Sequence, residues 1–397
     1  MQPVHTVMAT RAREQASRWP WLAAVGIFVG VRLIAFLPAE VNSFAASHYL
    51  FSYAGGFQKR ALVGAALATH FAYLSSAAIY ATSLCVLAAF AIALVVFART
   101  ALLASGEALV LGLVLLGAPA LLPHFAYSIG YFDPILAIYA LLTLAVLDAS
   151  LAAALKLTLA YGLCAMGVLT HEMYLFAAFP LIVARELLVQ RSGRPLLWIL
   201  TGLVCVTTVL VAHYGQPSVP LDRYMSQVEP RTDVKLDLEA FQLLYFHGRL
   251  NFLYLVHHYA SVFTDVRLVA ALIVPIPYFL MLYELFVTAT RARGMSARQS
   301  WVAGAWVLAP LLLTLVGFDV LRWVSFACLN CSLLILESIR LDSSGDVREA
   351  LHRQVHSVRF WILALLSFAV APLHVVDGNG IATGIHSIAH GLGLVQW

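Results

Sequence analysis

Charged residues are scarce in this sequence. Asp, Glu, Lys and Arg together make up 11% of the 397 residues, against about 25% in soluble domains. Positive charge is not gathered into one basic surface either, because the 24 Lys and Arg are spread over short connections and 20 acidic residues leave a net charge of only +4. The sequence therefore predicts no nucleic-acid partner.

Cysteine is also scarce, and internal repeats are absent. All of the cysteines lie in apolar stretches, where a free thiol behaves as a small hydrophobe; they are Cys85, Cys164, Cys205, Cys328 and Cys331. This placement argues against a disulfide framework, and no second Cys or His pair near Cys328 and Cys331 completes a zinc set. With no repeat of fixed period and no low-complexity tract, we expect one membrane domain.

Apolar residues, by contrast, are abundant. They form 62% of the chain, and the mean hydropathy is +0.87, whereas soluble domains are about 45–50% apolar. Such a composition suits a lipid solvent, in which helices satisfy every backbone polar group internally. The sequence therefore predicts an all-α, polytopic helical bundle in a membrane. The first apolar stretch, 21–37, is too long for a signal peptide and lacks a convincing cleavage site, so we expect it to be retained.

Apolar runs near the roughly 20 residues that a helix needs to cross a bilayer predict about eleven spans. They lie near 21–37, 75–98, 107–122, 133–150, 155–171, 173–187, 196–214, 267–289, 301–318, 323–339 and 359–374. Prolines inside these runs should kink or break their helices; they are Pro119, Pro180, Pro275, Pro277 and Pro310.

The positive-inside rule orients the spans with the N-terminus in the cytoplasm and the C-terminus outside. In this orientation, cations collect in the inner connections, as at Arg99, Lys156, Arg185, Arg191, Arg194, Arg291, Arg293, Arg298, Arg340, Arg348, Arg353 and Arg359. Residues 1–20 then form a cytoplasmic segment, 21–374 the transmembrane domain and 375–397 an outer tail. Eleven of the 14 histidines fall at or beyond the outer ends of spans, and their amphipathic rings suit that interface in any case.

Two outer connections are too apolar to be free loops. Residues 38–74 join the first two spans, and the long loop 215–266 is rich in Leu, Phe and Tyr in its later part. Both predict interfacial helices on the outer face of the bundle.

The stretch Gly55–Gly64 (GGFQKRALVG) places two adjacent cations, Lys59 and Arg60, after a glycine pair. A planar guanidinium and a point charge beside flexible backbone suit a phosphate or diphosphate. The alternative is an interfacial anchor that pairs with anionic lipid headgroups.

Thr170-His171-Glu172 lies at a tight outer turn between two spans. Half-burial at such a turn is expected to raise the pKa of Glu172 towards the range of a general base, with His171 hydrogen-bonded to it or to a substrate. The alternative is a polar cap on two helix ends. The spacing does not match the two-histidine zinc motif of metalloproteases.

Asp133 precedes Pro134 at the start of another span, where it is either a helix N-cap or a catalytic or substrate-binding acid that shares a pocket with His124 and Tyr127. Asp319 and Arg322 are three residues apart at a further outer turn, and they either pair on one helical face or supply phosphate ligands.

The remaining outer ionisable residues complete the candidate set. Arg32 lies inside the first span, within reach of the outer interface or of a carboxylate in the bundle. Glu40 and Arg223 lie in the outer segments. His386 and His390 are four apart, and interfacial placement is the simpler explanation for them.

Half-buried acids beside cations, under interfacial helices, suit sugar transfer from a polyprenyl-phosphate or polyprenyl-diphosphate donor. Glu40, the Gly55–Gly64 stretch, Asp133, Glu172 and the long loop resemble bacterial polytopic sugar transferases and surface-polysaccharide polymerases, including the GT-C type. The resemblance implies a multi-pass protein of the bacterial inner membrane that contacts lipids, a lipid-linked substrate and other envelope-polysaccharide proteins. It implies a lipid-linked sugar as the donor and no certain cofactor, with a divalent metal possible but not indicated by the residues.

The candidates divide into two groups under this hypothesis. The catalytic candidates are Glu172, His171, Asp133 and Glu40, and the substrate-binding candidates are Lys59, Arg60, Arg322, Asp319, His124, Tyr127, Arg223 and Arg32. A transporter or flippase, a non-catalytic accessory subunit and a histidine-dependent metallohydrolase remain as alternatives. Polar residues crowd one face here, whereas inverted-repeat transporters place them near the midplane.

Overall fold

The computed structural model describes residues 19–189, 194–245, 276–315 and 320–368. Within them the protein is helical and contains no strand. The α-helices are, in chain order, α1 (Trp19–Ile34), α2 (Ser43–His48), α3 (Leu62–Ala68), α4 (Ser76–Leu102), α5 (Gly106–Gly117), α6 (Leu122–Tyr127), α7 (Asp133–Asp148), α8 (Ala153–Thr170), α9 (Tyr174–Ala177), α10 (Phe179–Val189), α11 (Arg194–Tyr214), α12 (Leu221–Val228), α13 (Leu238–Tyr245), α14 (Ile276–Ala292), α15 (Ala297–Val307), α16 (Val320–Arg340), α17 (Asp346–Val355) and α18 (Val358–Phe368).

Five helical segments of the described residues are long and apolar enough to cross a membrane. They are Ser76–Leu102, Gly106–Tyr127, Ala153–Thr170, Pro195–Tyr214 and Leu321–Arg340. Large apolar side chains such as Ile92, Trp198 and Val209 are exposed on the bundle's surface, as suits a protein whose solvent is lipid. The structure therefore has the character of the all-helical membrane bundle that the composition predicts.

Prolines interrupt the bundle at most of the predicted places. Pro119 lies in the break between α5 and α6, Pro180 lies in the first turn of α10 just after α9, and Pro310 lies in a 3-10 helix after α15. Pro277 is the second described residue of α14, and the residues before Ile276 lie outside the described part of the chain. Pro275 lies outside the described residues.

Helix α16 forms the centre of the bundle, since every residue of its apolar window is buried. It runs parallel to α7, because Asp133 at the start of α7 pairs with Arg322 near the start of α16, and Asp148 at the end of α7 pairs with Arg340 at the end of α16. At 1.5 Å per residue, the 16 residues of α7 separate these two pairs by about 22 Å. The bundle thus has two charged ends.

The two outer segments pack on each other to form a cap, which we define as residues 38–74 and 215–245. The cap has its own apolar core, in which Phe241 meets Phe51 at 5.1 Å and Tyr224 at 5.6 Å between ring centroids. The Leu74 backbone N–H donates to the Arg231 carbonyl oxygen at 2.8 Å. The short helices α2, α3, α12 and α13 therefore cover the bundle end that carries Asp133 and Arg322.

Candidate functional site

The turn at residues 56–60, which carries Lys59 and Arg60, contains two residues with positive φ. Gly56 has φ +102°, which L side chains rarely adopt, and Arg60 has φ +61°, a left-handed conformation that is uncommon outside glycine. A Cβ on Gly64 would lie 2.1 Å from the Phe51 carbonyl oxygen, so glycine there permits close packing of α3. The turn buries Lys59 and Arg60 beneath the cap. This burial does not fit the alternative of an interfacial anchor that pairs with anionic lipid headgroups.

Arg60 is held by the turn between α8 and α9. Its Nε donates to both carboxylate oxygens of Glu172 at 3.1 Å, and its Nη2 donates to Oε1 at 2.6 Å. Its Nη1 lies 3.3 Å from His48 Nε2. All three side chains are buried, so the pair is a desolvated, charge-assisted contact rather than a surface ion pair.

A second buried ion pair lies beside the first. Arg322 donates from Nε to Asp133 Oδ2 at 2.7 Å and from Nη2 to Oδ1 at 2.5 Å. The guanidinium carbon stands 4.3 Å from the centroid of the Tyr131 ring, which adds a cation–π contact. Phe132 is the N-cap of α7. The prediction of Asp133 as N-cap is therefore wrong, since its carboxylate is used across the bundle.

The two histidines of the site are neutral, and their hydrogen bonds assign the tautomers. His48 Nδ1 lies 2.9 Å from the Phe44 carbonyl oxygen, so Nδ1 carries the proton and Nε2 accepts from Arg60. In His171 the situation is reversed, because Nδ1 accepts from the Met173 backbone N–H at 3.2 Å. His171 Nδ1 and Glu172 Oε2, 3.6 Å apart, are consequently two acceptors in proximity and not an ion pair.

The pKa shifts in the site follow from burial and from Arg60. Burial lowers the pKa of His48 to about 3, with Arg60 adding to the effect, and it lowers the pKa of His171 well below its usual value. Burial also lowers the pKa of Lys59. Burial alone would raise the pKa of Glu172, but Arg60 in contact holds it well below the usual value. The predicted raised pKa of Glu172 is therefore wrong for this state, in which the carboxylate is ionised.

We define the polar cluster as His48, Lys59, Arg60, Asp133, His171, Glu172 and Arg322, all of them buried. His48 links its halves, since it contacts Arg60 and its ring lies 6.1 Å from that of Phe132, the neighbour of Asp133. Counted over these described residues, three cations face two carboxylates and both imidazoles are neutral, which gives the seven side chains together one excess positive charge. Such a group is suited to an anionic ligand.

Three sequence-predicted residues lie elsewhere. Glu40 and Arg223 are exposed on the cap. Among the described residues Arg32 pairs with a backbone carbonyl instead of the predicted carboxylate: its Nε donates to the Gly117 carbonyl oxygen at 3.1 Å, at the break after α5. Its guanidinium carbon lies 5.0 Å from the ring centroid of Phe36 and 5.3 Å from that of Phe368.

Of the remaining candidates, His124 is fully buried on α6, and its Nε2 lies 3.4 Å from Ser128 Oγ. Tyr127 is half-buried at the end of α6. Asp319, His386 and His390 lie outside the described residues, so the predicted pairing of Asp319 with Arg322 is untested, while Arg322 itself pairs with Asp133.

Sequence patterns do not single out three residues that hold the site together. His48 contacts Arg60, and Gln58 Nε2 donates to the Ser52 carbonyl oxygen at 2.7 Å and to the Tyr224 hydroxyl at 2.5 Å. Position alone carries a weak signal, since Gln58 adjoins the two cations and Tyr224 adjoins Arg223. Gln58 and Tyr224 are 166 residues apart in the chain, so only the packing of the cap on itself reveals their contact.

No family model matches the chain, and no curated protein or solved structure is detectably similar to it. The geometry of the polar cluster is therefore the basis for inferring function.

Proposed function

We propose that the protein is a membrane-embedded glycosyltransferase or polysaccharide polymerase that uses a polyprenyl-phosphate or polyprenyl-diphosphate sugar at the non-cytoplasmic face. The observation that carries the proposal is the polar cluster, in which Lys59 and Arg60 are buried beside Glu172 and the described side chains sum to one positive charge. A phosphate entering this environment would neutralise the excess and gain charge-assisted hydrogen bonds.

Substrate binding and base activation are coupled in this mechanism. Arg60 divides its donors between Glu172 and His48, and an arriving phosphate would compete with Glu172 for them. A carboxylate that loses its guanidinium partner while staying buried has a raised pKa. Glu172 would then be able to accept a proton only when the donor substrate is in place.

The transfer step would proceed as follows. The bond between the anomeric carbon and the phosphate oxygen breaks, and the electron pair leaves with the polyprenyl phosphate, which Lys59 and Arg60 stabilise. The acceptor hydroxyl forms the new glycosidic bond to the anomeric carbon, and its proton passes to Glu172. His171, whose free proton is on Nε2, is placed to donate a hydrogen bond to a reacting oxygen, and Asp133 with Arg322 would hold the adjacent wall.

The topology that goes with this proposal is about eleven spans in a bacterial inner membrane, with the cap and the polar cluster outside and the Asp148–Arg340 end in the cytoplasm. The cap would then lie at the outer leaflet, where a polyprenyl tail enters from the side. Membrane lipids and the lipid-linked sugar are the expected partners, together with other envelope-polysaccharide proteins.

The test is sugar transfer by membranes that contain the full chain, supplied with radiolabelled polyprenyl-linked sugars and scored for new glycosidic bonds. Glu172→Gln and Lys59→Ala should abolish product while the protein still inserts normally. Matched controls are Glu349→Gln and Lys235→Ala, which alter exposed residues away from the cluster. Product at wild-type levels in both cluster variants would overturn the proposal.

Two further outcomes would redirect the assignment. Accumulation of the lipid-linked sugar across proteoliposomes without a new glycosidic bond would show a transporter or flippase. Cysteine labelling that placed positions 171 and 322 on the cytoplasmic side would remove the lipid-linked donor from reach and contradict the proposed topology.

A further inference from the structure

Helix α17 carries two histidines that belong to a second cluster of polar side chains, at the opposite end of the bundle from the polar cluster. The helix follows Arg340 by a short turn that Asp342 holds, since its carboxylate accepts from the backbone N–H groups of Gly345 at 2.9 Å and Arg348 at 3.0 Å. The start of α17 is therefore well defined, and so are the directions of its side chains.

The rotation of α17 about its axis is set by its apolar stripe. Val347, Leu351 and Val355 are buried at four-residue spacing, so this face packs on the bundle. His352 and His356 each follow a buried residue by one position and therefore form a parallel stripe at the edge of the buried face. Their rings lie 4.4 Å apart between centroids.

Glu107 faces this histidine stripe from the first turn of α5. Its Oε1 lies 3.2 Å from His352 Nδ1, and the Ser105 side chain caps the same turn by accepting from the Ala108 N–H at 3.1 Å. One ligand atom from each of Glu107, His352 and His356 lies within 4.8 Å of the other two. Two imidazoles and one carboxylate are a donor set that Zn²⁺ and similar transition metals prefer.

The site is accessible as well as compact. Glu107 and His356 line an open cavity of about 540 Å³ between α5, the end of α17 and Trp361 on α18. The His352 side chain is 48% exposed and that of Glu107 37% exposed, so both have freedom to adjust their rotamers. Ligand atoms around a tetrahedral zinc ion are about 3.4 Å apart, given bonds of about 2.0–2.1 Å, which small rotations here would achieve.

We propose that Glu107, His352 and His356 form a binding site for a Zn²⁺-type transition-metal ion, with its remaining coordination position open to solvent. The bound ion carries one net positive charge after the carboxylate is counted, and it joins the amphipathic helix α17 to the start of α5. The inference is independent of the proposed sugar transfer, because the site is at the other end of the bundle. It also departs from the sequence-level prediction, which assigns no metal ligands, since Glu107 is far from the histidine pair in the chain.

The test uses the purified, tag-free full chain in detergent, titrated with Co²⁺, whose visible absorption reports imidazole and carboxylate coordination. We expect one spectroscopically distinct ion per chain. Each of Glu107→Gln, His352→Ala and His356→Ala should weaken its affinity by about 100-fold or more, since losing even an outer partner of a ligand costs about 10–100-fold. Zn²⁺ should raise the thermal midpoint of the wild type and not that of Glu107→Gln.

The matched control is His70→Ala, which removes an exposed histidine on the cap and should leave the Co²⁺ spectrum unchanged. Glu107→Gln is the most conservative variant, and its metal-free thermal midpoint should equal that of the wild type, so a loss of binding there does not reflect misfolding. Absence of stoichiometric Co²⁺ binding by the wild type would overturn the proposal, and so would an unchanged spectrum in a triple variant that combines Glu107→Gln, His352→Ala and His356→Ala.

Discussion

The two charged ends of the bundle use similar residues in opposite ways. At the end away from the cap, Arg185 contacts Asp148, Glu186 and Glu337, and Arg340 bonds Asp148 at 2.7 Å and Glu337 at 2.5 Å. We refer to these five residues as the inner network. It has two cations against three acids, no histidine and no residue in a left-handed conformation. The polar cluster has three cations against two acids, two neutral histidines and Arg60 in a left-handed conformation.

This difference is the reason that we assign a structural role to the inner network and propose a functional one for the polar cluster. The inner network joins the ends of α7, α10 and α16, and each of its two arginines contacts at least two acids. Two of its three acids, Asp148 and Glu186, are partly exposed, which lowers the desolvation penalty, whereas Glu337 is buried between the two arginines. The polar cluster is fully buried and has an uneven charge count. Energetically unfavourable features of that kind persist at functional sites, where a ligand completes them.

The largest expected effect is on the inner network. Arg185→Met should destabilise the protein by about 3–5 kcal/mol, because the buried Glu337 keeps only Arg340 of its two cations while Asp148 and Glu186 also lose a partner. Thermal unfolding in detergent measures the change. Arg353→Met is the control, because its exposed pair with Glu349 contributes only about 0.3–0.5 kcal/mol. Equal midpoints for the two variants would show that the inner network is not a structural brace.

At the polar cluster the same kind of substitution should act on activity instead. Lys59→Met should lower sugar transfer by about 10²–10³-fold, which corresponds to about 2.7–4 kcal/mol of transition-state stabilisation. Stability should rise by about 0.5–2 kcal/mol, since burial lowers the pKa of Lys59 and the folded state is penalised for holding its charge. The measurements are product formation and thermal unfolding of the same preparation. A clear loss of stability in Lys59→Met would place this cluster in the same class as the inner network.

The buried histidines should make the free energy of unfolding fall as the pH decreases below about 6.5, whereas the inner network contains no imidazole that could titrate there. Folding holds the pKa of His48 at about 3, whereas the unfolded chain takes up a proton near pH 6.5. Stability is therefore complete above pH 6.5 and falls as the pH decreases towards 3, by about 2 kcal/mol between pH 6.5 and 5 from this residue alone. His48→Asn, which keeps a donor near the Phe44 carbonyl, should flatten the decrease in thermal midpoint. The exposed His213→Asn should leave the slope as it is, and an unchanged slope in His48→Asn would contradict the neutral assignment.

The smallest effect concerns the turn that carries Lys59 and Arg60. Gly56→Ala should destabilise by about 1–2 kcal/mol, because φ +102° is strained for any residue with a Cβ. It should also reduce sugar transfer, since the turn positions both cations. Gly202→Ala on α11 is the control: a Cβ there meets nothing within 4 Å, so alanine should stabilise the helix by about 0.5–1 kcal/mol. Midpoints that change in the same direction would indicate that the Gly56 turn is relaxed.

Sequence patterns anticipate the elements of this protein better than its contacts. The predicted span 75–98 corresponds to α4, 133–150 to α7 and 155–171 to α8, each within a few residues, because apolar runs and flanking turns are local signals. Among the candidate residues, Lys59, Arg60, Asp133, His171, Glu172 and Arg322 come together in the polar cluster, whereas Glu40 and Arg223 stay on the surface. The pairing of Arg60 with Glu172 and of Arg322 with Asp133 joins residues far apart in the chain, which no spacing rule can specify.

The errors have a common physical cause. The pKa of Glu172 was expected to rise because burial at a turn disfavours its charge, but the sign depends on whether a cation arrives from another element, and Arg60 does. Arg32 was expected to seek a carboxylate or the interface, but the break at Pro119 frees the Gly117 carbonyl oxygen as an acceptor. In each case the deciding partner comes from a distant part of the chain.

The sequence by itself determined that the chain is helical and membrane-embedded, and it identified which ionisable residues cluster near one set of helix ends. Those properties depend on composition and local periodicity, because lipid favours apolar side chains and a helix satisfies its backbone hydrogen bonds within one segment. Only the tertiary structure decided which charges are paired, which imidazole nitrogens carry protons, and that Glu107 meets His352 and His356. These properties depend on distances of a few ångströms between segments that are distant in the chain, because hydrogen bonds and strong Coulomb interactions form only at such short range.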